Sequence, residues 1–189
     1  MKSLWEKIHT LFDTDDGSLP EVEIKFNTSD AVPKAYDTIR NHSTSFSSKN
    51  NYYWSTQKNK EILINFPDNP AEKVTEYIAE PFHVCFTNIK SHSGNQVPDL
   101  GVFVFQDSLS IDYKMGSEWN MKALIGFFEL LYKLDGLSNS TQLTLKSNVN
   151  DPDGELFNKV WMQYKKGRLP NPTDFPRKAV QSPNSLPAG

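Results

Sequence analysis

The chain has 189 residues, a formal net charge of −3 at pH 7 and an isoelectric point near 5.8. This length suits one domain with its own hydrophobic core. The acidic balance argues against a nucleic-acid-binding surface, which is usually basic. The single cysteine, Cys85, excludes an intrachain disulfide and indicates a reducing compartment, so we expect a cytoplasmic protein. No apolar run approaches the roughly 20 residues of a membrane-spanning helix, so we expect no membrane association.

The first predicted element is a short amphipathic helix over residues 3–12, and an acidic turn follows it. The acidic turn, residues 13–16, contains Asp13, Asp15 and Asp16. Counted from Asp13, Gly17 falls at the fifth position, whereas an EF-hand loop requires glycine at the sixth and glutamate at the twelfth. We therefore predict a solvated turn and no metal site. Its negative charge would favour a basic partner if it lies beside a binding surface.

Strands and short helices are predicted to alternate over the next part of the chain. In chain order they are a strand over 21–26, a helix over 30–41, strands over 51–55 and 60–66, a helix over 70–80 and a strand over 81–89. Tyr77 is expected to face inward on the helix over 70–80. Three aromatic residues, 52–54, are consecutive on one strand, so alternation sends some of them outward. Tyr53 is our candidate for partner contact, and the alternative is a central strand covered on both faces.

Residues 100–115 predict a β-hairpin that turns at Asp107 and Ser108, with Val104 opposite Ile111. One face is entirely apolar and consists of Val102, Val104, Leu109, Ile111 and Tyr113. The other face places Phe103 and Phe105 beside polar and charged residues, which indicates only partial cover. We therefore predict a partner-binding surface that comprises Phe103, Phe105 and Asp112, with the acidic turn nearby.

A long helix over about 118–134 is predicted to organise the fold. Ser117 is expected to cap its N-terminus, and Gly136 is expected to end it in a left-handed conformation. Polar or small residues recur at steps of three and four, which predicts one narrow solvent-facing stripe on an otherwise buried helix. These residues are Glu118, Lys122, Gly126, Glu129 and Lys133. Gly126 indicates close approach of another segment, and Trp119 is expected to anchor the helix to the sheet.

A strand over 142–147 and a last helix that begins around residues 151–153 complete the predicted fold. Five of the twelve prolines fall within residues 167–189, so this tail is expected to be extended or disordered. We therefore predict a single α+β domain over 1–166, with a mainly antiparallel sheet packed against the long helix and the other helices.

His83 and Cys85 are our candidate pair of residues for catalysis. They lie two apart on a predicted strand, so their side chains face the same way, as a nucleophile and its base require. Val84 and Phe86 flank them, however, and a buried cysteine usually behaves as a small apolar residue. No glycine-rich phosphate loop and no protease or hydrolase motif is present. We predict a protein without an enzymatic function or cofactor, and a small enzyme that uses His83 and Cys85 is the alternative.

Two segments, LFDTDDGSLPEVEI at residues 11–24 and VFVFQDSLSIDYKMGSEWN at residues 102–120, resemble patterns in small cytoplasmic bacterial proteins. Among these are the immunity proteins of polymorphic toxin systems. The resemblance implies a non-enzymatic protein that blocks a toxin by tight binding. It also implies a protein partner, for which a basic toxin domain would suit this acidic chain.

Overall fold

The structure is a computed structural model that describes residues 3–138, 141–146 and 152–168. Its helices are α1 (Leu4–Ile8), continued by a 3-10 turn (His9–Leu11), α2 (Ala31–Asn41), α3 (Ala71–Thr75), α4 (Met121–Asp135) and α5 (Pro152–Arg168). Its strands are β1 (Glu21–Lys25), β2 (Ser45–Phe46), β3 (Tyr52–Ser55), β4 (Lys60–Leu63), β5 (Phe82–Thr87), β6 (Ile89–Lys90), β7 (Gln96–Val97), β8 (Leu100–Val104), β9 (Ser108–Tyr113) and β10 (Gln142–Lys146). Of the predicted proline-rich tail, residues 169–189 lie outside the described residues, and Gly167 and Arg168 belong to α5.

Six strands form one sheet in the order β10-β1-β9-β8-β5-β2, and every neighbouring pair is antiparallel. Two further pairs, β3-β4 and β6-β7, form separate two-stranded sheets. With five helices, this arrangement confirms the predicted α+β class and the mainly antiparallel sheet. The short strands β2 and β7 lie outside the strands predicted from the sequence, and β6 overlaps the end of the strand predicted over 81–89.

The large sheet has one buried face and one face that is mostly half-buried or exposed, which we call the open face. The apolar residues that alternate along its strands point into the core. They include Val22, Ile24, Val84, Phe86, Val102, Val104, Leu109, Ile111, Tyr113, Leu143 and Leu145. The open face carries the residues between them, including Glu21, Glu23, His83, Cys85, Phe103 and Asp112. One solvated face is common for an antiparallel sheet.

The β8–β9 hairpin has its predicted faces but not its predicted register. Val104 pairs with Leu109, and not with Ile111 as predicted. The prediction was wrong because the turn closes earlier, where the Phe105 amide donates to the Ser108 carbonyl at 3.0 Å. A slip of two residues leaves each side chain on the same side of the sheet, so the apolar face is buried as expected.

The long helix begins later than predicted. Asn120 has an extended backbone (φ −154°, ψ 178°), and its side chain accepts hydrogen bonds from the amides of Lys122 and Ala123 at 2.9 and 3.1 Å. Asn120 is therefore the N-cap, and the prediction of Ser117 was wrong. The expected left-handed cap was also wrong, because Gly136 has φ −76°.

The polar stripe of α4 is partly covered by the segment that joins β6 and β7. A Cβ atom on Gly126 would lie 3.0 Å from Cγ2 of Val97 and 3.1 Å from Cβ of Asn95, which confirms the expected close approach. Glu129 was expected to face solvent, but it is only 6% exposed. It accepts hydrogen bonds from the backbone and side chain of Ser93 in the same segment. The predicted stripe was therefore wrong at Glu129.

Trp119 anchors the start of α4 to the sheet, as predicted. Its indole N–H donates to the Lys114 carbonyl at 2.8 Å. Its ring lies 5.1 Å from Tyr113, 4.8 Å from Phe12 and 5.6 Å from Phe127, measured between centroids. This aromatic cluster joins the N-terminal segment, the sheet and the helix in one core.

Candidate functional site

In the β3–β4 hairpin, one of the three consecutive aromatic residues is buried and two are accessible to a partner. Tyr53 is buried, and its ring lies 6.5 Å from that of Phe82. The choice of Tyr53 as a partner-binding residue was therefore wrong. Because neighbouring side chains on a strand point to opposite faces, the burial of Tyr53 sends Tyr52 and Trp54 outward.

Exposed apolar side chains concentrate on and beside this hairpin. Tyr52 pairs across the strands with Leu63, and Trp54 pairs with Glu61 on the same outer face. Tyr52 is 44% exposed, Trp54 39% and Leu63 46%, and Tyr77 farther along the chain is 73% exposed. We call these four residues the hairpin patch. Among the described residues, only Leu19 and Met162 are other exposed large apolar side chains, so the patch is a concentrated feature of this surface.

Tyr77 belongs to the hairpin patch because α3 ends earlier than predicted. The helix stops at Thr75, and Tyr77 adopts φ 60°. Its carbonyl accepts a hydrogen bond from the Thr56 hydroxyl at 3.0 Å, just beyond β3. The expectation that Tyr77 faces inward was wrong, since the left-handed turn carries its ring out of the core. A left-handed conformation is unfavourable for a bulky residue, and such strain concentrates at functional sites.

The residues of the predicted partner-binding surface on the open face largely contact one another or their neighbours within the chain. Asp112 lies over Gly101, and its Oδ2 is 2.9 Å from Nε2 of His83. The His83 ring lies 4.1 Å from Phe103, which stacks at 6.2 Å on Phe105. Phe103, Phe105 and Asp112 are half-buried, as the expected partial cover implies. Their role in partner binding stays a prediction.

The acidic turn lies at one end of this surface. Asp112 pairs with Glu21, directly after the segment that contains the turn, whereas Phe105 follows β8 at the opposite end of the hairpin. The four residue-to-residue steps from Ser108 to Asp112 span about 13 Å at a typical strand rise. The structure therefore places the turn at the Asp112 end of the hairpin, whereas Phe105 lies at the other end.

Within the acidic turn, the three aspartates are held differently. Asp13 contacts Nδ1 of His9 at 3.0 Å, and Asp16 accepts from the Ser18 amide at 2.9 Å, while Asp15 is exposed. The Ser18 hydrogen bonds keep the pKa of Asp16 below its ordinary value. A cleft of about 800 Å³ opens beside the turn, and its charged lining consists of Asp16, Glu21, Asp153 and Lys146. This part of the surface is predominantly acidic.

His83 and Cys85 face the same way, as predicted, and both lie on the open face. Cys85, however, is not in an activating environment. Burial raises the pKa of its thiol, a hydrogen bond with Ser47 opposes this, and the carboxylates of Asp99 and Asp112 raise it further. A catalytic thiol needs a lowered pKa. The geometry therefore gives little support to the alternative of a cysteine-dependent enzyme.

In the described residues, no group of three or more His, Cys, Asp or Glu side chains is placed to hold a metal ion. Over residues 3–138, 141–146 and 152–168, no helix has both the length and the apolar character that a bilayer crossing requires. Comparisons of the chain with protein-family models, with curated proteins and with solved structures found no match.

Proposed function

We propose that this chain is a non-enzymatic interaction protein that neutralises a toxin in the bacterial cytoplasm by binding it tightly. The observation that carries the proposal is the hairpin patch, which exposes Tyr52, Trp54 and Leu63 on the outer face of the hairpin and Tyr77 in the segment beside β3. Tyrosine and tryptophan are enriched at the centres of protein interfaces and contribute much of their binding energy. Contiguous exposed apolar residues on a soluble domain commonly mark such a contact.

The charge of the chain supports a basic partner. The net charge is −3, and the acidic turn adds local negative potential beside the cleft that Asp16, Glu21 and Asp153 line. Complementary charge accelerates association and disfavours wrong partners more than it adds affinity. We propose that the hairpin patch supplies affinity for a basic toxin domain and that the acidic surface guides its approach.

Affinity capture with the full chain tests the proposal. Wild-type protein at about micromolar concentration is immobilised and exposed to lysate of the source organism, and the captured proteins are identified by mass spectrometry. The patch variant carries Tyr52→Ser, Trp54→Ser and Leu63→Ser, which remove apolar side chains that interface centres favour. We expect a specific partner on the wild type and a loss of at least about tenfold on the patch variant.

The matched control is Met162→Ser, which removes an apolar side chain that is 50% exposed on α5, outside the patch. It should capture as much partner as the wild type. The captured partner is then expressed alone and with this chain, and rescue of growth by the wild type but not by the patch variant would support neutralisation. A partner retained equally by all three proteins would refute the role of the hairpin patch.

A further inference from the structure

The outer edge of β4 presents backbone groups that nothing described in the chain uses. The Ile64 amide donates to the Asn51 carbonyl at 2.8 Å, which fixes the phase of the β3–β4 ladder. Backbone groups along an antiparallel strand point alternately to its two sides. The N–H and C=O groups of Glu61 and Leu63 therefore point away from β3. Among the residues that the structure describes, nothing hydrogen-bonds to their N–H and C=O groups.

The other edge of the same hairpin is already covered by this chain. A segment over residues 78–80 runs beside β3, where the Glu80 amide donates to the Trp54 carbonyl at 3.0 Å. The Thr56 amide donates to the Ile78 carbonyl at 2.9 Å. The hairpin thus accepts an added extended segment on its β3 side, while no segment of the described residues pairs with its β4 side.

The open edge of β4 has a defined length. Beyond Leu63, the Asn65 amide is bound by Oδ2 of Asp68 at 3.0 Å and is not available. Glu61 and Leu63 together leave two donors and two acceptors, spaced for one short extended strand. Leu63 also belongs to the hairpin patch, so these backbone groups lie directly beside the exposed apolar surface.

We propose that the β4 edge is the docking site for an extended strand of the partner protein, which adds antiparallel to β4. This inference rests on the proposed function and names how the partner binds. In strand addition, main-chain hydrogen bonds provide affinity, and alternate side chains provide specificity. Here Glu61 and Leu63 supply the main-chain groups, and the residues on the outer face of the hairpin contact the side chains of the added strand.

The side chains of β4 define the chemistry of the added strand. The partner residue opposite Leu63 is apolar, because it lies against an exposed leucine and its cross-strand neighbour Tyr52. The residue opposite Glu61 is basic, because opposite charges across strands are favourable and like charges are not. Since the strands are antiparallel, the basic residue follows the apolar one by two positions.

A second copy of this chain fits the β4 edge less well. The symmetric register that uses all four free groups places each Glu61 opposite a Leu63, so neither glutamate meets a positive charge. Each copy also carries a net charge of −3, which opposes their approach. A basic partner strand satisfies both requirements.

Amide hydrogen exchange on the full chain, measured by NMR, tests the proposal directly. The probe is a synthetic peptide of alternating valine and threonine, in which one valine is followed two positions later by lysine. At saturating peptide, we expect the Glu61 and Leu63 amides to exchange at least about tenfold more slowly. The Lys60 and Ile62 amides should change less, because they already point towards β3.

Two matched controls separate backbone pairing from side-chain contact. The same peptide, N-methylated at the valine and lysine that face Leu63 and Glu61, keeps its side chains but loses the donors. On the protein, Glu61→Pro removes a donor that points away from β3, whereas Glu61→Ala keeps it. We expect the methylated peptide to give no protection, Glu61→Pro to abolish protection at Leu63, and Glu61→Ala to weaken binding only a few-fold.

Protection of both amides by the unmethylated peptide alone would support strand addition. Peptide binding, seen as a change in tryptophan fluorescence that is lost in Trp54→Phe, without protection of these amides would overturn it and leave the proposed function standing. Absence of binding at millimolar peptide would also overturn it. Protection that rises with protein concentration in the absence of peptide would assign the edge to a second copy and refute the partner strand. The proposed function fails separately, if lysate capture does not depend on the patch.

Discussion

Arg168, the last residue of α5, donates a 2.6 Å hydrogen bond from Nη2 to Oε1 of Glu129 on α4. The other oxygen of Glu129, Oε2, accepts from the amide and the hydroxyl of Ser93 at 3.2 and 2.7 Å. The Arg168 guanidinium also lies 5.1 Å from the centre of the Tyr164 ring. One buried carboxylate therefore ties the long helix to the β6–β7 segment and to the end of the last helix.

This carboxylate should make stability depend on pH. Burial raises the pKa of Glu129, but hydrogen bonds from Ser91, Ser93 and Arg168 outweigh it and lower the pKa from 4.5 to about 2. Because the pKa of Glu129 is lower in the folded chain than in the unfolded chain, its carboxylate contributes fully to the stability of the fold above pH 4.5. This contribution is lost as the pH falls towards about 2. We expect Glu129→Gln to flatten the fall in the free energy of unfolding over this window. Urea melts across a pH series measure it.

At neutral pH, the same site gives a second comparison. Glu129→Ala should lower the free energy of unfolding by about 2 kcal/mol, since the Ser93 amide and Arg168 lose their acceptor. Lys122→Ala on the exposed side of α4 should cost under about 0.5 kcal/mol. Equal losses in the two variants would show that Glu129 faces water, as its helical spacing alone predicted.

Glu129 illustrates what periodicity can and cannot predict. Spacings of three and four predicted α4 and most of its buried side chains correctly, because they depend on neighbours one turn away. The partners of Glu129 are 36 and 39 residues distant, at Ser93 and Arg168. Such contacts depend on tertiary packing, and no local pattern around Glu129 encodes them. Gly126 was informative because a glycine within a helix has a cost that close packing explains.

The candidate surface likewise combines features that the local sequence predicts with features that depend on tertiary packing. Alternation correctly predicted that the aromatic residues at 52–54 face opposite sides of the strand. None of the three is polar enough to indicate which side faces solvent. Contact with Phe82, from β5, decides that Tyr53 is the buried member. Whether the outer edge of β4 has a neighbour depends on how the strands assemble, and the sequence did not predict that none of the described strands would pair there. The faces of the β8–β9 hairpin were predictable because its apolar residues alternate without interruption.

The aromatic cluster at the start of α4 should dominate core stability. Phe127 is fully buried, and its ring lies 6.2 Å from Phe12 and 5.7 Å from Tyr113. Phe127→Ala should cost about 3–5 kcal/mol, because it removes a large buried side chain and leaves a cavity. Leu19→Ala, at a site that is 60% exposed, should cost under about 0.5 kcal/mol. Denaturant melts of both variants decide this, and a small loss for Phe127→Ala would contradict the packing.

Thiol labelling tests the alternative of a cysteine-dependent enzyme. Burial raises the pKa of Cys85, so little thiolate is present at neutral pH. We expect a thiol reagent to label the folded chain at least about tenfold more slowly than the chain in denaturant. As Cys85 is the only cysteine, the labelling signal has one source. Rapid labelling of the folded chain that His83→Ala slows would instead identify an activated thiol.

The conformation of Tyr77 should lower the free energy of unfolding, while its exposed side chain contributes to binding of the partner. Its φ of 60° is unfavourable for a bulky side chain, and asparagine tolerates this conformation better. Because the ring is 73% exposed, its removal should cost little packing. We therefore expect Tyr77→Asn to leave the free energy of unfolding unchanged or to raise it by up to about 1 kcal/mol, while capture of the partner falls. Tyr77→Phe keeps both ring and strain, so its stability should match the wild type. A loss well above 1 kcal/mol in Tyr77→Asn would mean that the ring packs against the domain and does not await a partner.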